Sequence, residues 1–247
     1  MKTNLIFLFF VSLFASRLAE AQHKVNTPYY EMRVCWAAEG KLPDLLKAYQ
    51  ENIVKLLEKH HIKSVGYWVP ADNKESKLVC LFSYPNVEAR ETAWKNMGKD
   101  PAWKKTKLAL EPSGLVTKIE SSFFLETDYS PANFSSQVGR VFELRIYTTT
   151  HYNLGLLNAR FRNHTLALFS KYGMTNLLYM TPVGKDNNLT YFLSHASAEA
   201  AKASFTAFVA DEGWKKAKDA SELLANGPIT SDIKSEFLVP TDFSPWR

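Results

Sequence analysis

The chain carries no H-E-x-x-H, C-x-x-C or G-x-S-x-G string and no glycine-rich phosphate loop. Zinc, serine-hydrolase and nucleotide chemistry lose their usual sequence support accordingly. Glycine and proline are sparse, at 10 and 11 of 247 residues, which excludes collagen-like and linker-like sequence. There is no basic tail or arginine block either. The net charge of +5 is spread evenly, so that residues 22–132 and 133–247 each carry +2. Sequence-independent nucleic-acid binding needs a clustered basic footprint, so no nucleic-acid partner is expected. Beyond the first residues, no apolar run approaches the ~20 residues of a spanning helix.

What is present begins with an address. Lys2 precedes the apolar stretch Leu5–Ala15, and Ala19-Glu20-Ala21 places small residues where a signal peptidase reads them. This pattern predicts a cleavable secretory signal over 1–21, cut after Ala21. The mature protein is then expected to be secreted or periplasmic, with no membrane span.

The remainder repeats itself. Tyr30-Glu31-Met32-Arg33-Val34 reads like Phe142-Glu143-Leu144-Arg145-Ile146, at an offset of 112. Leu78, Glu88, Asp100 and Trp103 match Leu189, Glu199, Asp211 and Trp214 at 111, and Thr127-Asp128-Tyr129-Ser130-Pro131 matches Thr241-Asp242-Phe243-Ser244-Pro245 at 114. Landmarks in one order at nearly one offset define two units, 22–132 and 133–247, joined by the polar stretch Asn133–Gln137.

Within the first unit, residues 29–36 alternate as a strand, and Pro43-Asp44 opens a helical stretch carrying Leu45, Leu46, Tyr49, Ile53, Val54 and Leu57. Strands are predicted over 63–69 and 77–84. Asn86 is placed to cap a helix bearing Ala89, Ala93, Trp94 and Met97, and a last strand spans 115–125. The second unit repeats the order, with strands near 140–148, 175–181, 188–195 and 229–239. The order β-α-β-β-α-β is the ferredoxin-like pattern, a class α+β sheet with both helices on one face. Two units packing their bare faces together would close a pseudo-symmetric dimeric α/β barrel within one chain, which admits a monomer or a homo-oligomer.

The segments Phe142–Tyr147, Arg160–Thr165, Phe169–Met174, Tyr191–His195, Ser221-Glu222 and Pro240–Pro245 resemble the NIPSNAP family. The resemblance covers the second unit almost wholly and the first in a divergent form. It implies the dimeric α/β-barrel superfamily. It implies no particular reaction, no cofactor and no metal. The secretory signal sets this chain apart from the mitochondrial animal relatives, so their roles are not carried over.

Several residues are candidates for chemistry. With Phe142, Leu144 and Ile146 assigned to the helix side, Glu143, Arg145 and Tyr147 are expected inside the barrel. There Arg145 is either an internal ion pair with Glu143 or Glu236, or a clamp for a ligand's anion or carbonyl. Arg33 repeats Arg145. His164 shares a stripe with Leu157, Phe161 and Leu168, which points it inward, as a bonded core residue or as an acid/base. His195 ends a strand and is expected at a rim or pocket. The first copy has Asn52, Tyr84 and Cys35 where the second has His164, His195 and Tyr147. This asymmetry fits one working pocket in the second copy, and simple drift between repeats predicts it too. His60-His61 near a helix end suits bonding to exposed carbonyls rather than a shared metal. Cys35 and Cys80 fall on neighbouring strands, and export permits a disulfide between them.

Three functional readings follow. The first is a non-catalytic protein that binds a small molecule or partner in the barrel. The second is a cofactor-independent oxygenase or isomerase using the interior. The third is a structural oligomer with a filled barrel.

Overall fold

The structure is a computed structural model that describes residues 28–110, 114–132 and 139–247. The expected signal and the Asn133–Gln137 connector lie outside the described residues. The first repeat runs β1 (Tyr29–Ala37), α1, β2 (Lys63–Pro70), β3 (Lys77–Tyr84), α2 (Val87–Lys99), α3 (Pro101–Leu110) and β4 (Val116–Glu126). Helix α1 is Leu42–Ala48, a π-helical turn Tyr49–Ile53 and Val54–Lys59. The second repeat runs β5 (Val141–Thr149), α4, β6 (Thr175–Pro182), β7 (Asn188–His195), α5 (Ala198–Ala210), α6 (Glu212–Leu224) and β8 (Thr230–Pro240). Helix α4 is Leu154–Arg160, a π turn Phe161–Thr165 and Leu166–Lys171.

The eight strands close a barrel in the order β1-β3-β2-β8-β5-β7-β6-β4. Each repeat contributes a four-stranded antiparallel sheet. The two sheets join through β2 with β8, where Trp68 faces Pro240, and through β4 with β6, where Phe124 faces Pro182. The barrel is therefore the internal equivalent of a two-subunit assembly.

Local sequence explains the helix starts. Asn86 accepts from the Ala89 amide and Ser197 from the Ala200 amide, each satisfying an otherwise unpaired N–H at a helix N-terminus. The helical region that begins at Asn86 is two helices, because Asp100 breaks into extended backbone and then binds the Ala102 amide to start α3. Asp211 does the same for α6 through the Trp214 amide. Asp100 also takes Lys59 and His60, each at 2.7 Å, so His60 binds a carboxylate rather than helix carbonyls. Asp211 takes Lys171 and the Tyr172 hydroxyl, each at 2.6 Å. Both carboxyls are held below their usual range, by the Lys59 and His60 hydrogen bonds at Asp100 and by Lys171 and Tyr172 at Asp211.

The repeated Thr-Asp-aromatic-Ser-Pro segment is the reciprocal tie between repeats. The Tyr179 amide donates to Ser130 Oγ at 3.1 Å and the Thr127 amide to the Tyr179 carbonyl at 3.0 Å. The mirror pair is the Tyr67 amide to Ser244 Oγ and the Thr241 amide to the Tyr67 carbonyl, each at 2.9 Å. Phe243 packs on Tyr67 with ring centres 5.2 Å apart, as Tyr129 does on Tyr179 at 5.7 Å.

The sheet faces are the reverse of the sequence expectation. The buried centre of the barrel is an apolar cluster. Tyr30, Met32, Val79, Leu81, Phe142, Leu144, Phe192 and Leu238 meet there around Trp68 and Trp246. Trp68 stacks on Phe192 at 5.4 Å and lies 5.7 Å from Phe142, while Trp246 stacks on Phe142 at 6.1 Å. Gly66 makes this possible, since a Cβ there would come within 2.1 Å of the Trp68 indole. The alternating strands were correctly phased, but the side assigned to the helices is the side that fills the barrel. Glu31, Arg33 and Cys35, and likewise Glu143, Arg145 and Tyr147, point away from the barrel and under the helices.

Candidate functional site

The polar clusters lie between each sheet and its own helices. In the second repeat Glu143 is buried and binds Arg145 Nη1 at 2.5 Å and His195 Nε2 at 2.9 Å. Arg145 continues through Nε to the Tyr191 hydroxyl at 3.0 Å and through Nη2 toward the Tyr147 hydroxyl at 3.5 Å. Burial opposes the Arg145 charge, yet Tyr191, Tyr147 and Glu143 together hold its pKa above the ordinary value. Of the two pairings expected for Arg145, the one with Glu143 forms. Glu236 instead lies 4.0 Å from Lys77. His195 is 1% exposed, enclosed between Phe205 and Phe237 rather than at a rim.

His164 is exposed, contrary to its expected inward orientation. The cause is the π turn. The Leu166 amide bonds to the Phe161 carbonyl, which inserts one extra residue into the turn. The inward stripe therefore continues through Thr165 and Phe169, both 1% exposed, and His164 rotates to solvent.

In the first repeat the buried carboxylate is Glu31. It accepts from Arg33 Nη2 (2.6 Å), Ser121 Oγ (2.9 Å), Arg90 Nε (3.0 Å), Trp94 Nε1 (3.1 Å) and the Tyr84 hydroxyl (3.3 Å). Burial pushes its pKa up, but Arg33 and Arg90 outweigh burial and hold it below the usual carboxylate value. Arg33 rests on the Trp94 ring at 4.1 Å.

Beside this cluster is a cavity of about 400 Å³ between sheet and helices. Its walls are mainly apolar, including Leu45, Ile53, Leu57, Trp94, Met97 and Trp103, and Arg33, Cys35 and Tyr49 reach it from the sheet and α1. The corresponding space of the second repeat holds aromatic rings. Tyr191 stacks on Tyr179 at 4.9 Å, Phe161 lies 5.3 Å from Tyr191, and Tyr147 lies 5.4 Å from Tyr191. Strand register makes the equivalence direct: Arg33 opposes Cys80 where Arg145 opposes Tyr191. Cys35 likewise stands for Tyr147. Two tyrosines in one repeat are two cysteines in the other, and the smaller side chains leave the cavity. The cavity thus lies in the first copy, whereas the sequence expectation placed a pocket in the second.

Cys35 and Cys80 are unbridged. The register places Cys35 opposite Leu78 and Cys80 opposite Arg33, so the pair is diagonal rather than directly opposed. The Cys35 thiol lies 3.5 Å from the Tyr49 hydroxyl. Its pKa is brought down to about 7, chiefly by a hydrogen bond from Cys80, against burial and with help from Tyr49 and Arg33. Burial pushes Cys80 well up.

Sequence reasoning did not single out Arg90 or Arg160. Arg160 is 5% exposed, binds Ser221 Oγ at 3.2 Å through Nη1 and sits over the Trp214 ring at 4.9 Å. Its Nε has no partner, and burial lowers its pKa. The signal lay in the repeat itself, where Ala48 and Ala201 stand opposite these two arginines. Among the described residues, no three His, Cys, Asp or Glu side chains gather as a metal site would require.

The family model described as NIPSNAP matches residues 30–131 and again 142–245. No match is found among curated proteins. Among solved structures, a "putative monooxygenase" of Lactobacillus acidophilus is similar over 87% of this chain and 94% of its own, with TM-score 0.58 and 13% identity. A protein of the same printed name from Fusobacterium nucleatum is similar over 87% and 92%, with TM-score 0.59 and 13% identity. A NIPSNAP domain protein of Burkholderia xenovorans is 22% identical over 42% of this chain and 98% of its own, with TM-score 0.39. At these identities the two longer likenesses establish a shared fold and nothing about activity.

Proposed function

The chain belongs to the NIPSNAP family, and on that premise we propose that it is an exported, non-catalytic small-molecule-binding protein that works through the cavity of its first repeat. The observation that carries this reading is the cavity itself. It is concave, mainly apolar and reached by a few convergent polar groups, as ligand sites are. Its lining includes no histidine, aspartate or glutamate, and the one group there with a pKa near neutrality, Cys35, stands without a histidine or carboxylate among the lining residues to relay its proton. His195 is bound to Glu143 in the other repeat, and His164 faces solvent. The second repeat serves as the filled half that closes the barrel. Because both halves are in one chain, a monomer suffices. Export rests on the Met1–Ala21 leader.

A neutral fluorescent probe, N-phenyl-1-naphthylamine, tests the reading without invoking charge. Saturable enhancement at one site per chain is expected. Cys35→Tyr, which restores the side chain found at the equivalent place in the second repeat, is expected to abolish it. Absent saturation, or enhancement unchanged in Cys35→Tyr, overturns the reading.

A further inference from the structure

The two arginines differ in what remains for them to bind. Arg145 uses Nη1 on Glu143, Nε on Tyr191 and Nη2 toward Tyr147. Arg33 has the same carboxylate partner, but Cys80 and Cys35 replace both hydroxyls. It keeps Nη2 on Glu31 at 2.6 Å and a longer bond from Nε to Ser121 at 3.3 Å. Among the described residues its Nη1 donates to nothing, and Arg33 lines the cavity. The Arg33 side chain is 19% exposed, so its Nη1 is open to the cavity, and an acceptor bound there would take the place of water on N–H groups that no protein group uses.

Glu31 does not depend on Arg33 alone. Arg90 Nε reaches it at 3.0 Å, a cation absent from the second repeat, where Ala201 stands. Arg33 can therefore meet a second anion without stripping Glu31 of its counter-charge. The lining as a whole has one sign. It includes Arg33, Lys107 and Lys118 and no carboxylate. Lys107 and Lys118 are exposed at the rim, where Lys118 pairs with Glu120 at 2.5 Å and lies 4.5 Å over Trp36.

We propose, resting on the binding reading above, that the ligand of this cavity is a compact amphipathic monocarboxylate. Its carboxylate is received by the Nη1 edge of Arg33, and its apolar body lies against Leu45, Ile53, Leu57 and Trp103. One available guanidinium edge suits a single carboxylate. A volume of about 400 Å³ lies toward the small end of ligand sites, which run to on the order of 1,000 Å³.

The test is a matched pair, para-butylbenzoate and para-butylbenzamide, titrated calorimetrically into the full mature chain at neutral pH. The carboxylate is expected to bind at least ~10-fold more tightly, the scale of one charge-assisted hydrogen bond. In Arg33→Met the preference is expected to vanish while the amide still binds, because the thioether keeps the packing on Trp94 and Arg90 still balances Glu31. Equal binding of both compounds to the wild type overturns the carboxylate inference and leaves the binding reading standing. A preference that survives in Arg33→Met overturns the role of Arg33. If neither compound binds and the neutral naphthylamine also fails, the binding reading itself falls. If neither compound binds but the naphthylamine does, only the carboxylate inference is overturned.

Discussion

Arg33 and Arg145 occupy the same place in two copies of one fold, beneath the same helix and bonded to the same kind of buried glutamate. In the second copy the arginine is enclosed by Tyr147 and Tyr191 and the space is packed with rings. In the first, Cys35 and Cys80 leave a cavity and an unused guanidinium edge. The barrel needs both sheets to close, and each repeat docks its Thr-Asp-aromatic-Ser-Pro segment on the other. Closure does not require both helix-side spaces to be filled. One copy can therefore hold the architecture while the other gives up core volume.

The sharpest way to break this comparison is at the carboxylates. Glu31→Gln strips the opposing charge from two arginines, and is expected to lower unfolding stability by about 3–5 kcal/mol, as loss of one partner from a buried ion pair does. Glu143→Gln is expected to do less, because Arg145 retains two tyrosine hydroxyls. Urea midpoints of the two variants compare them directly, and equal losses would show the clusters to be equivalent. The pH sign also follows. The Glu31 carboxyl titrates below its ordinary value, so its stabilisation is complete at neutral pH and is lost as pH falls through the folded pKa. Glu31→Gln is expected to lack that acid-side loss.

Much of this architecture was legible in the sequence. The 112-residue echo of Tyr30–Val34 in Phe142–Ile146 marked the duplication, and the predicted strands fall within a residue or two of those observed. The face assignment was not legible, because both sides of β1 and β5 are largely buried. When Phe142, Leu144 and the Glu143–Arg145 pair all leave solvent, alternation fixes the period but not which side meets the helices. Only the closed barrel, in which Trp68 of the first repeat meets Phe142 and Phe192 of the second, decides it. His164 was misplaced for a local reason, since a π turn shifts every later residue of the stripe by one. The Cys35-for-Tyr147 exchange was visible, but it read as loss of a polar group until packing showed it to be a gain of space.

A second experiment rebuilds the difference in reverse. Tyr147→Cys with Tyr191→Cys is expected to lower stability by about 2–4 kcal/mol, in line with large-to-small changes in a core. The same variant is expected to add a second naphthylamine site. A stability loss without new binding would mean that the rings of Phe161 and Phe169 collapse into the vacated space. The cavity would then depend on more than the two exchanged residues.

Chemical reactivity distinguishes the two thiols within the first repeat. Cys35 lines the cavity with a pKa near 7, set mainly by its hydrogen bond from Cys80, whereas burial pushes Cys80 well up. In reduced protein, iodoacetamide is expected to modify Cys35 at least ~10-fold faster than Cys80, because the thiolate is the nucleophile. The Cys35 rate should climb with pH through about 7 and level off above it. Peptide mass mapping over time reads both sites. Equal rates would place the cavity out of reach of small solutes.

The smallest expected effect concerns the second repeat, and it tests whether that copy is optimised as a filled scaffold. Arg160 is buried with Ser221 as its hydrogen-bond partner and the Trp214 face beneath it, and its Nε is unmatched. The first repeat manages with Ala48 at this place. A buried cation without a carboxylate at ion-pair distance opposes folding through desolvation, and burial accordingly lowers its pKa. Arg160→Met keeps most of the aliphatic stem and the contact with Trp214 while removing the charge. The expected result is a gain of about 1 kcal/mol in unfolding stability, in the direction seen when buried charges give way to apolar side chains of similar size. A comparable loss would instead mean that the cation over Trp214 and the Ser221 bond hold α4 against α6. The second repeat would then owe its rigidity to a polar tie as well as to its rings.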